Sequence, residues 1–356
     1  MRQPTTFAIF GDSLPAHRRL AVADRDRYTP DPPAMIPQSP CNLCGTREVE
    51  EVAGLDRHGK PLQTVICRKC GLVWTDPIPS QEALRRFYSE QYRLQYKRIS
   101  QPTLEHVYRA GKVAAQRFRH LKGLLKPGSV IVDVGSGGGE FVYLMRCLDF
   151  DAQGVQPLEG YARYSQEELG IEVHLGFARE IQIPPRSCHM VTLYHSLEHM
   201  ASPTEVLEHV RGWLEPRGWL VIEVPNVEAT CQSPGHRYHQ AHIYSFNDAT
   251  LRRLGEKAGF RPHRTDLSPD GGNISAVFGK ESPGPIRTGI PGNCERIMGT
   301  IQRHTLLRHF SSFHPYTRPL RRLGRRLKEK RAARRFHSGR EVLDAIRSQE
   351  LPTIPL

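Results

Sequence analysis

Residues 130–141 read Val-Ile-Val-Asp-Val-Gly-Ser-Gly-Gly-Gly-Glu-Phe, and this stretch decides the fold. Apolar residues without alternation, as in Val130–Val134, describe a strand buried on both faces. The glycines from Gly135 to Gly139 end it with a turn, and from Glu140 to Leu148 the apolar period becomes helical. A strand, a glycine turn and a helix start together make a ligand-binding unit. The glycines let a ligand approach the backbone, and the helix N-terminus favours an anionic group such as a carboxylate. No Gly-Lys-Ser/Thr follows, so the turn is not a phosphate loop. A dinucleotide site stays open, although such sites usually end the second strand in Asp or Glu, and Gly154-Val155-Gln156-Pro157 offers Gln156.

Strands are expected at 152–156, 171–175, 190–194 and 219–224, with helices at 158–169, 203–214 and 246–258 between or after them. Two more strands, 261–266 and 274–278, flank the turn Ser268-Pro269-Asp270-Gly271-Gly272. Strands and helices alternating at this pace predict an α/β fold, a doubly wound, Rossmann-like seven-stranded sheet with an antiparallel last strand. Upstream, one-sided apolar spacing over 103–125 predicts a helix stopped at Pro127-Gly128, and Ser80 is placed to cap a shorter one.

Cys41-Asn-Leu-Cys44-Gly45 and Cys67-Arg-Lys-Cys70-Gly71 are two knuckles with 22 residues between them. Four thiolates so spaced suit one tetrahedral Zn²⁺, and the glycine after each pair permits the turn that brings backbone N–H groups to the sulfurs. Four sulfurs leave no open coordination position, so the expected zinc is structural, in a small N-terminal ribbon. The expected organisation is a disordered segment 1–38, the ribbon 39–75, a helical connector 76–126, the ligand-binding domain 127–280, and a Pro/Gly linker with a basic helical tail at 281–356. Phe10-Gly11-Asp12-Ser13-Leu14 has the look of an esterase nucleophile block, but no Asp-x-x-His follows anywhere to supply its base.

The 356 residues are 38% hydrophobic and 24% charged, ordinary for a protein with a packed core, and carry a net charge of +13. Residues 301–340 hold 13 of the 50 Lys and Arg with one acid, Glu329, so that segment accounts for +12 and the remainder is close to neutral. The charge therefore belongs to a local surface, with an anionic membrane or RNA as its expected contact. Leu320, Leu323 and Leu327 share one helical face there. No stretch approaches the roughly 20 apolar residues of a membrane span. With no secretory signal legible at the N-terminus, the expectation is a cytoplasmic protein, membrane-peripheral through its basic segment.

Several stretches together resemble class I S-adenosylmethionine (SAM) methyltransferases of the ubiquinone-biosynthesis-like branch. They are the glycine-turn stretch, His195-Ser-Leu-Glu198-His199 with Ser202-Pro203, the run Leu214 to Asn226, and Ala258-Gly259-Phe260. The paired cysteines with Trp74-Thr-Asp-Pro and Phe87-Tyr88 resemble the zinc-binding module that precedes such domains in bacterial enzymes, including sugar C-methyltransferases. The resemblance implies SAM as cofactor. It puts Asp133, Gly135, Ser136 and Gly137 at the methionine end, Gln156 at the ribose, and Ser196 and Leu197 near the adenine or the reacting methyl. Gln156 for the usual acid and Ser187-Cys188-His189-Met190 for the usual Phe-Asp are departures. Some relatives carry Glu-x-x-Glu-His at the strand end and bind a divalent metal, where this chain has His195. His195, Glu198, His199 and His239 are the candidate catalytic residues, with His236 and His242 on the same loop as His239. The implied activity is methyl transfer to O or C of a small-molecule acceptor such as a sugar, glycolipid or phenolic metabolite. The alternatives are a non-catalytic zinc-stabilised binding module with a degenerate SAM site, or an RNA methyltransferase using the basic tail.

Overall fold

The computed structural model describes residues 35–36, 39–87, 101–281 and 289–351. The expected disorder over 1–38 and the Phe10–Leu14 block lie outside them, apart from Met35–Ile36 and the start of the ribbon at Ser39. Strand β1 (Met35–Ile36) pairs antiparallel with β5 (Ile78–Pro79). Between them, β2 (Val49–Leu55), β3 (Pro61–Cys67) and β4 (Val73–Thr75) form the antiparallel ribbon, and helix α1 (Gln81–Arg86) follows, with Ser80 Oγ accepting from Ala83 N at 3.1 Å.

Helix α2 (Leu104–Leu121) leads into β6 (Val130–Val134), α3 (Glu140–Arg146), β7 (Asp151–Gln156), α4 (Glu159–Glu167) and β8 (Val173–Leu175). The chain then returns to the other side of β6 with β9 (Cys188–Tyr194), α5 (Pro203–Trp213) and β10 (Leu214–Pro225). After a long loop come β11 (Tyr244–Ser245), α6 (Asp248–Lys257), β12 (Phe260–Leu267) and β13 (Asn273–Lys280). The main sheet has seven strands in the order β12-β13-β10-β9-β6-β7-β8; β13 is inserted antiparallel between β10 and β12, and the other pairings are parallel. This is the expected doubly wound sheet. The reversal of strand order between β6 and β9 opens a crevice at their carboxyl ends, where such sheets hold ligands.

Adjacent residues of the central strands point to opposite cores. Val132, Leu220 and Ile222 pack with α5, α6 and the ribbon, whereas Ile131, Met190 and Val221 pack with α2 and α3. Helix α2 is therefore a covering layer of the sheet, not a connector outside it.

Two further departures from the expected organisation are tertiary. The ribbon recruits β11, from nearly 170 residues downstream, as its edge strand, giving the order β11-β4-β3-β2. Nor is 281–356 a simple appendage. It forms α7 (Asn293–Arg303), α8 (Leu306–Phe310), α9 (His314–Ala333) and α10 (Gly339–Glu350). Val342, Leu343 and Ile346 of α10 are at most 1% exposed, within the core that α2 and α3 share. Charge density at 301–340 hid this, because the apolar spacing that buries α10 begins only where the basic run ends.

Candidate functional site

Gly135 sits at φ 78°, and its N–H donates to Val155 O at 2.7 Å, so the turn begins by folding back on the end of β7. A Cβ at Gly135 would lie 2.7 Å from Ser196 Cβ; the backbone there is both left-handed and pressed against the end of β9. Beyond this contact a cleft of about 220 Å³ opens at the carboxyl ends of β6, β7 and β9. Gly135, Gly137, Gln156 and Ser196 line it, together with His195 and His199.

Three expected cofactor contacts lie elsewhere. Asp133 is 4% exposed beneath the turn, accepts from Thr192 Oγ1 at 2.6 Å, and burial pushes its carboxyl up to about 6. Ser136 is turned under the loop against Gly154, where a Cβ would come 2.6 Å from its Oγ. Leu197 is wholly buried in the core on the ribbon side. In each case the motif position is right for the loop, but the side chain supports it from behind. Sequence reasoning missed the apolar wall: Leu158, Tyr161, Phe177, Ala178 and Met200. These residues follow strand ends, a positional signal without a residue-type signature.

Gln156 lines the cleft but spends its amide on the protein. Nε2 donates to Gly137 O at 3.2 Å, while Oε1 accepts from Leu158 N at 3.0 Å. An Asp or Glu there could accept from Leu158 but could not donate to the glycine turn. Gln156 therefore braces the turn against the end of β7, which accounts for the missing acid.

His195 has φ 53°, the left-handed region, immediately after β9. Such a conformation in a residue with a Cβ is unfavourable by about 1–2 kcal/mol and persists where surrounding bonds enforce it. Its N–H donates to Glu223 O at 2.8 Å, and the ring lies between two carboxylates, Nε2 3.0 Å from Glu223 Oε1 and Nδ1 3.4 Å from Glu198 Oε1. Burial opposes its charge, but the two carboxylates outweigh burial and hold its pKa up at about 9. Glu223 is pulled down to about 2 against its own burial by His195 and by Arg117, whose Nη2 is 2.6 Å away and whose guanidinium lies over Tyr194. Glu198 and Glu223 thus favour the charged form of His195 and engage both of its ring nitrogens. Arg117 and Glu223 were not legible as site residues; only packing of α2 on the sheet brings them together.

His199 is different. Its Nδ1–H donates to Ala241 O at 2.6 Å, which leaves the lone pair on Nε2, 3.9 Å from Glu198 Oε1. The His199 ring meets His242 edge to face at 4.9 Å. Burial and the neighbouring imidazoles of His199 and His239 hold His242 well below the usual histidine range. Glu198, His199 and His242 place one ligand atom each within 4.8 Å of one another. The Glu198 carboxylate is 1% exposed, and Oε1 lies 3.4 Å from His195 Nδ1 and 3.9 Å from His199 Nε2, while Oε2 accepts no hydrogen bond among the described residues. A buried carboxylate, a neutral imidazole and a histidine oriented by a carbonyl on its other nitrogen form a donor set that fits a divalent cation. The third member is His242, not the charged His195. His239, expected as catalytic, stacks on His242 at 3.8 Å and is outside the cleft lining. Its Nδ1 accepts from Ala241 N, and burial drops its pKa to about 3. His236 is not part of this cluster.

The second candidate centre is the ribbon. The sulfurs of Cys41, Cys44, Cys67 and Cys70 all lie within 4.8 Å of one another. Gly45 N and Gly71 N donate to the carbonyls of Cys41 and Cys67, closing the two knuckles. Four thiols converging in a mostly buried corner fit a tetrahedral Zn²⁺. The ribbon also reaches the site. Thr75 N donates to Ile243 O, Thr75 Oγ1 to His242 O, and Arg57 N to Tyr238 O, so ribbon strands pin the loop that carries His239 and His242. From the other side Asn293 Nδ2 donates to Cys70 O at 2.8 Å, and Asn247 Nδ2 to Asn293 Oδ1 at 2.8 Å.

Residues 105–265, from α2 into β12, match the model of a family described as a methyltransferase domain. The match supports a class I methyltransferase over that segment. Solved structures similar to the chain include one from the Haloferax volcanii complex of the Trm112 methyltransferase activator (12% identity, 56% of this chain and 99% of that one, TM-score 0.47). Others are SAM-dependent methyltransferases from Archaeoglobus fulgidus (18%, 48% and 94%, TM-score 0.43) and Mesorhizobium loti (12%, 48% and 100%, TM-score 0.41). No curated protein matches the sequence.

Proposed function

We propose that the protein is a SAM-dependent methyltransferase acting on O or C of a small-molecule acceptor, such as a sugar, glycolipid or phenolic metabolite. The observation that carries this is the glycine-turned cleft with His199 in its wall, hydrogen-bonded to a loop that the ribbon holds in place. SAM, when bound, supplies an electrophilic methyl group on a sulfonium. The chain's task is to hold donor and acceptor in line, which accounts for a large share of the barrier reduction in such displacements. With SAM bound, the acceptor oxygen or carbon would take the methyl while the electron pair of the sulfur–methyl bond stays on sulfur. The acceptor's proton passes to His199 Nε2, the lone pair left by the Nδ1–Ala241 bond. Gln156 and Gly135 keep the turn open, and His195, held between Glu198 and Glu223, fixes the end of β9 beside it.

The buried Glu198 carboxylate, with one ligand atom within 4.8 Å of those of His199 and His242, favours a second reading, in which the three hold a divalent ion that orients an acceptor oxygen. Titration of SAM and of its demethylated product into zinc-loaded protein tests the cofactor reading: micromolar binding lost in Gly135→Val supports it, and no binding at millimolar SAM overturns it. Divalent-ion titration separates the two roles of His199. Metal-dependent turnover lost in His242→Ala assigns the ion, whereas metal-independent turnover with a basic limb lost in His199→Ala assigns the base.

A further inference from the structure

Twelve large apolar side chains are exposed among the described residues, and eight of them fall between Leu306 and Leu327. Leu307 is 84% exposed, Phe313 86% and Leu320 71%, far beyond what isolated surface leucines need explaining for. On α9, Phe313, Tyr316, Leu320, Leu323 and Leu327 fall on one stripe, about 80° wide at helical pitch. The opposite side attaches the helix. Glu329 and Ala333 are buried there, Arg109 Nη1 is 3.3 Å from Glu329, and Arg318 Nη1 donates to Cys231 O at 2.5 Å. The stripe therefore faces outward. Tyr316 Oη donates to Phe310 O at 3.0 Å, which carries the apolar surface on into α8 with Leu306 and Leu307.

Charge borders this surface on both edges. By helical position Arg321 and Lys328 lie along one flank of the stripe, and Arg326 and Lys330 along the other. The one acid in the segment, Glu329, is 6% exposed and paired with Arg109 and Arg325, so it presents no negative charge there. At the root of α8 a second cavity of about 220 Å³ is lined by Arg303, Arg308, His304, His309, Thr230 and Ser312, among others, with no carboxylate. His304 and His309 are 5% and 6% exposed. Arg237 Nη2 donates to His304 Nδ1 at 3.0 Å, and His304 Nε2 lies 3.3 Å from His309 Nδ1, which orders the floor as a line of donors. Arg303 and Arg308 have no carboxylate partner among the described residues. No described helix is long and apolar enough to cross a membrane.

A cationic border, an outward apolar stripe and a donor-lined hollow together match an interface that is apolar below and phosphate-rich above. We propose that α8 and α9 seat the protein on an anionic phospholipid bilayer, the stripe entering the acyl–headgroup boundary and the Arg303/Arg308 cavity receiving a lipid phosphate. Binding of this kind is independent of the methyltransferase reading and is measured without turnover.

The test is flotation of the full chain with phosphatidylcholine vesicles, with and without phosphatidylglycerol. The native protein binds the anionic vesicles roughly tenfold or more tightly than the neutral ones, and less at high salt. Leu320→Glu/Leu323→Glu lowers that binding by roughly tenfold or more without moving the melting midpoint, since both side chains are exposed. Arg303→Ala/Arg308→Ala weakens binding to anionic vesicles only. Absence of vesicle binding by the native chain overturns the proposal, as does binding unchanged by the leucine substitutions. Gel filtration without vesicles covers the competing occupant: a dimer that the leucine variant converts to monomer, with no vesicle binding, assigns the face to a second copy of the chain. RNA binding that survives the leucine variant, with no vesicle binding, likewise rejects the bilayer.

Discussion

His195 concentrates much of the site's electrostatics in one side chain. Its pKa of about 9 lies above the ordinary histidine value of 6.5, so the pairing with Glu198 and Glu223 stabilises the fold fully below about pH 6.5. That contribution is lost as pH rises through about 9. Glu223, held near 2, keeps its own contribution until pH falls through that value. Melting midpoints of the native protein and His195→Asn should therefore differ at pH 6–7 and converge toward pH 10; a constant gap would remove the charge from His195. At Gly135, a valine meets the left-handed backbone, about 1–2 kcal/mol unfavourable. It also meets Ser196 at 2.7 Å, so SAM binding measured by calorimetry should fall more than about 100-fold. Gln156→Glu keeps the acceptor for Leu158 but loses the donor to Gly137, and calorimetry should show SAM bound about tenfold more weakly. Gly135 and Gly137 were readable from sequence because the demand on them is local. That Asp133, Ser136 and Leu197 stand outside the cleft lining was not readable, because a motif gives a position on the loop but not which side of it a side chain occupies.

At the scale of elements, β11 does most to join the two metal-capable centres. Two residues, Tyr244–Ser245, complete the ribbon sheet through Trp74 and Val73, and the preceding carbonyls of His242 and Ile243 accept from Thr75. The ribbon and the loop that carries His239 and His242 are thus parts of one hydrogen-bonded unit. The native protein should contain one zinc per chain, and Cys67→Ser or chelation should remove it. Loss of zinc should strip amide-exchange protection from residues 238–246. It should also reduce acceptor turnover more than tenfold while changing SAM affinity within about threefold, because the glycine turn is braced from β7 and not from the ribbon. Equal loss of both would place the ribbon's role in global folding. The knuckles were legible at Cys41/Cys44 and Cys67/Cys70 because ligand spacing is a short-range property. That β4 would take its neighbour from beyond β10 was not, because a two-residue strand leaves no period to read.

The whole molecule is closed by its C-terminal helix. Charge counting made 301–340 look like an appendage, yet α10 packs Val342, Leu343 and Ile346 against α2 and α3, with Lys112 and Arg119 paired to Glu350. Ile346→Ala should destabilise the protein by about 2–4 kcal/mol in denaturant titration, the range for emptying a buried isoleucine site. Leu320→Ser, on the exposed stripe, should change stability by less than about 0.5 kcal/mol. Removing 339–356 should yield an unstable chain rather than a trimmed one.

The sequence by itself determined the sheet and its strand–helix alternation, the glycine turn, the two thiol knuckles and the cationic segment. Each is written in a period, a spacing or a composition spanning a few to a few tens of residues. Tertiary structure alone decided that His195 lies between two carboxylates, that His242 joins Glu198 and His199, that Gln156 is a brace, and that β11 and α10 are integral parts of the fold. These depend on contacts between residues far apart in the chain, where burial and neighbouring charges set protonation states and the packing of whole layers selects partners.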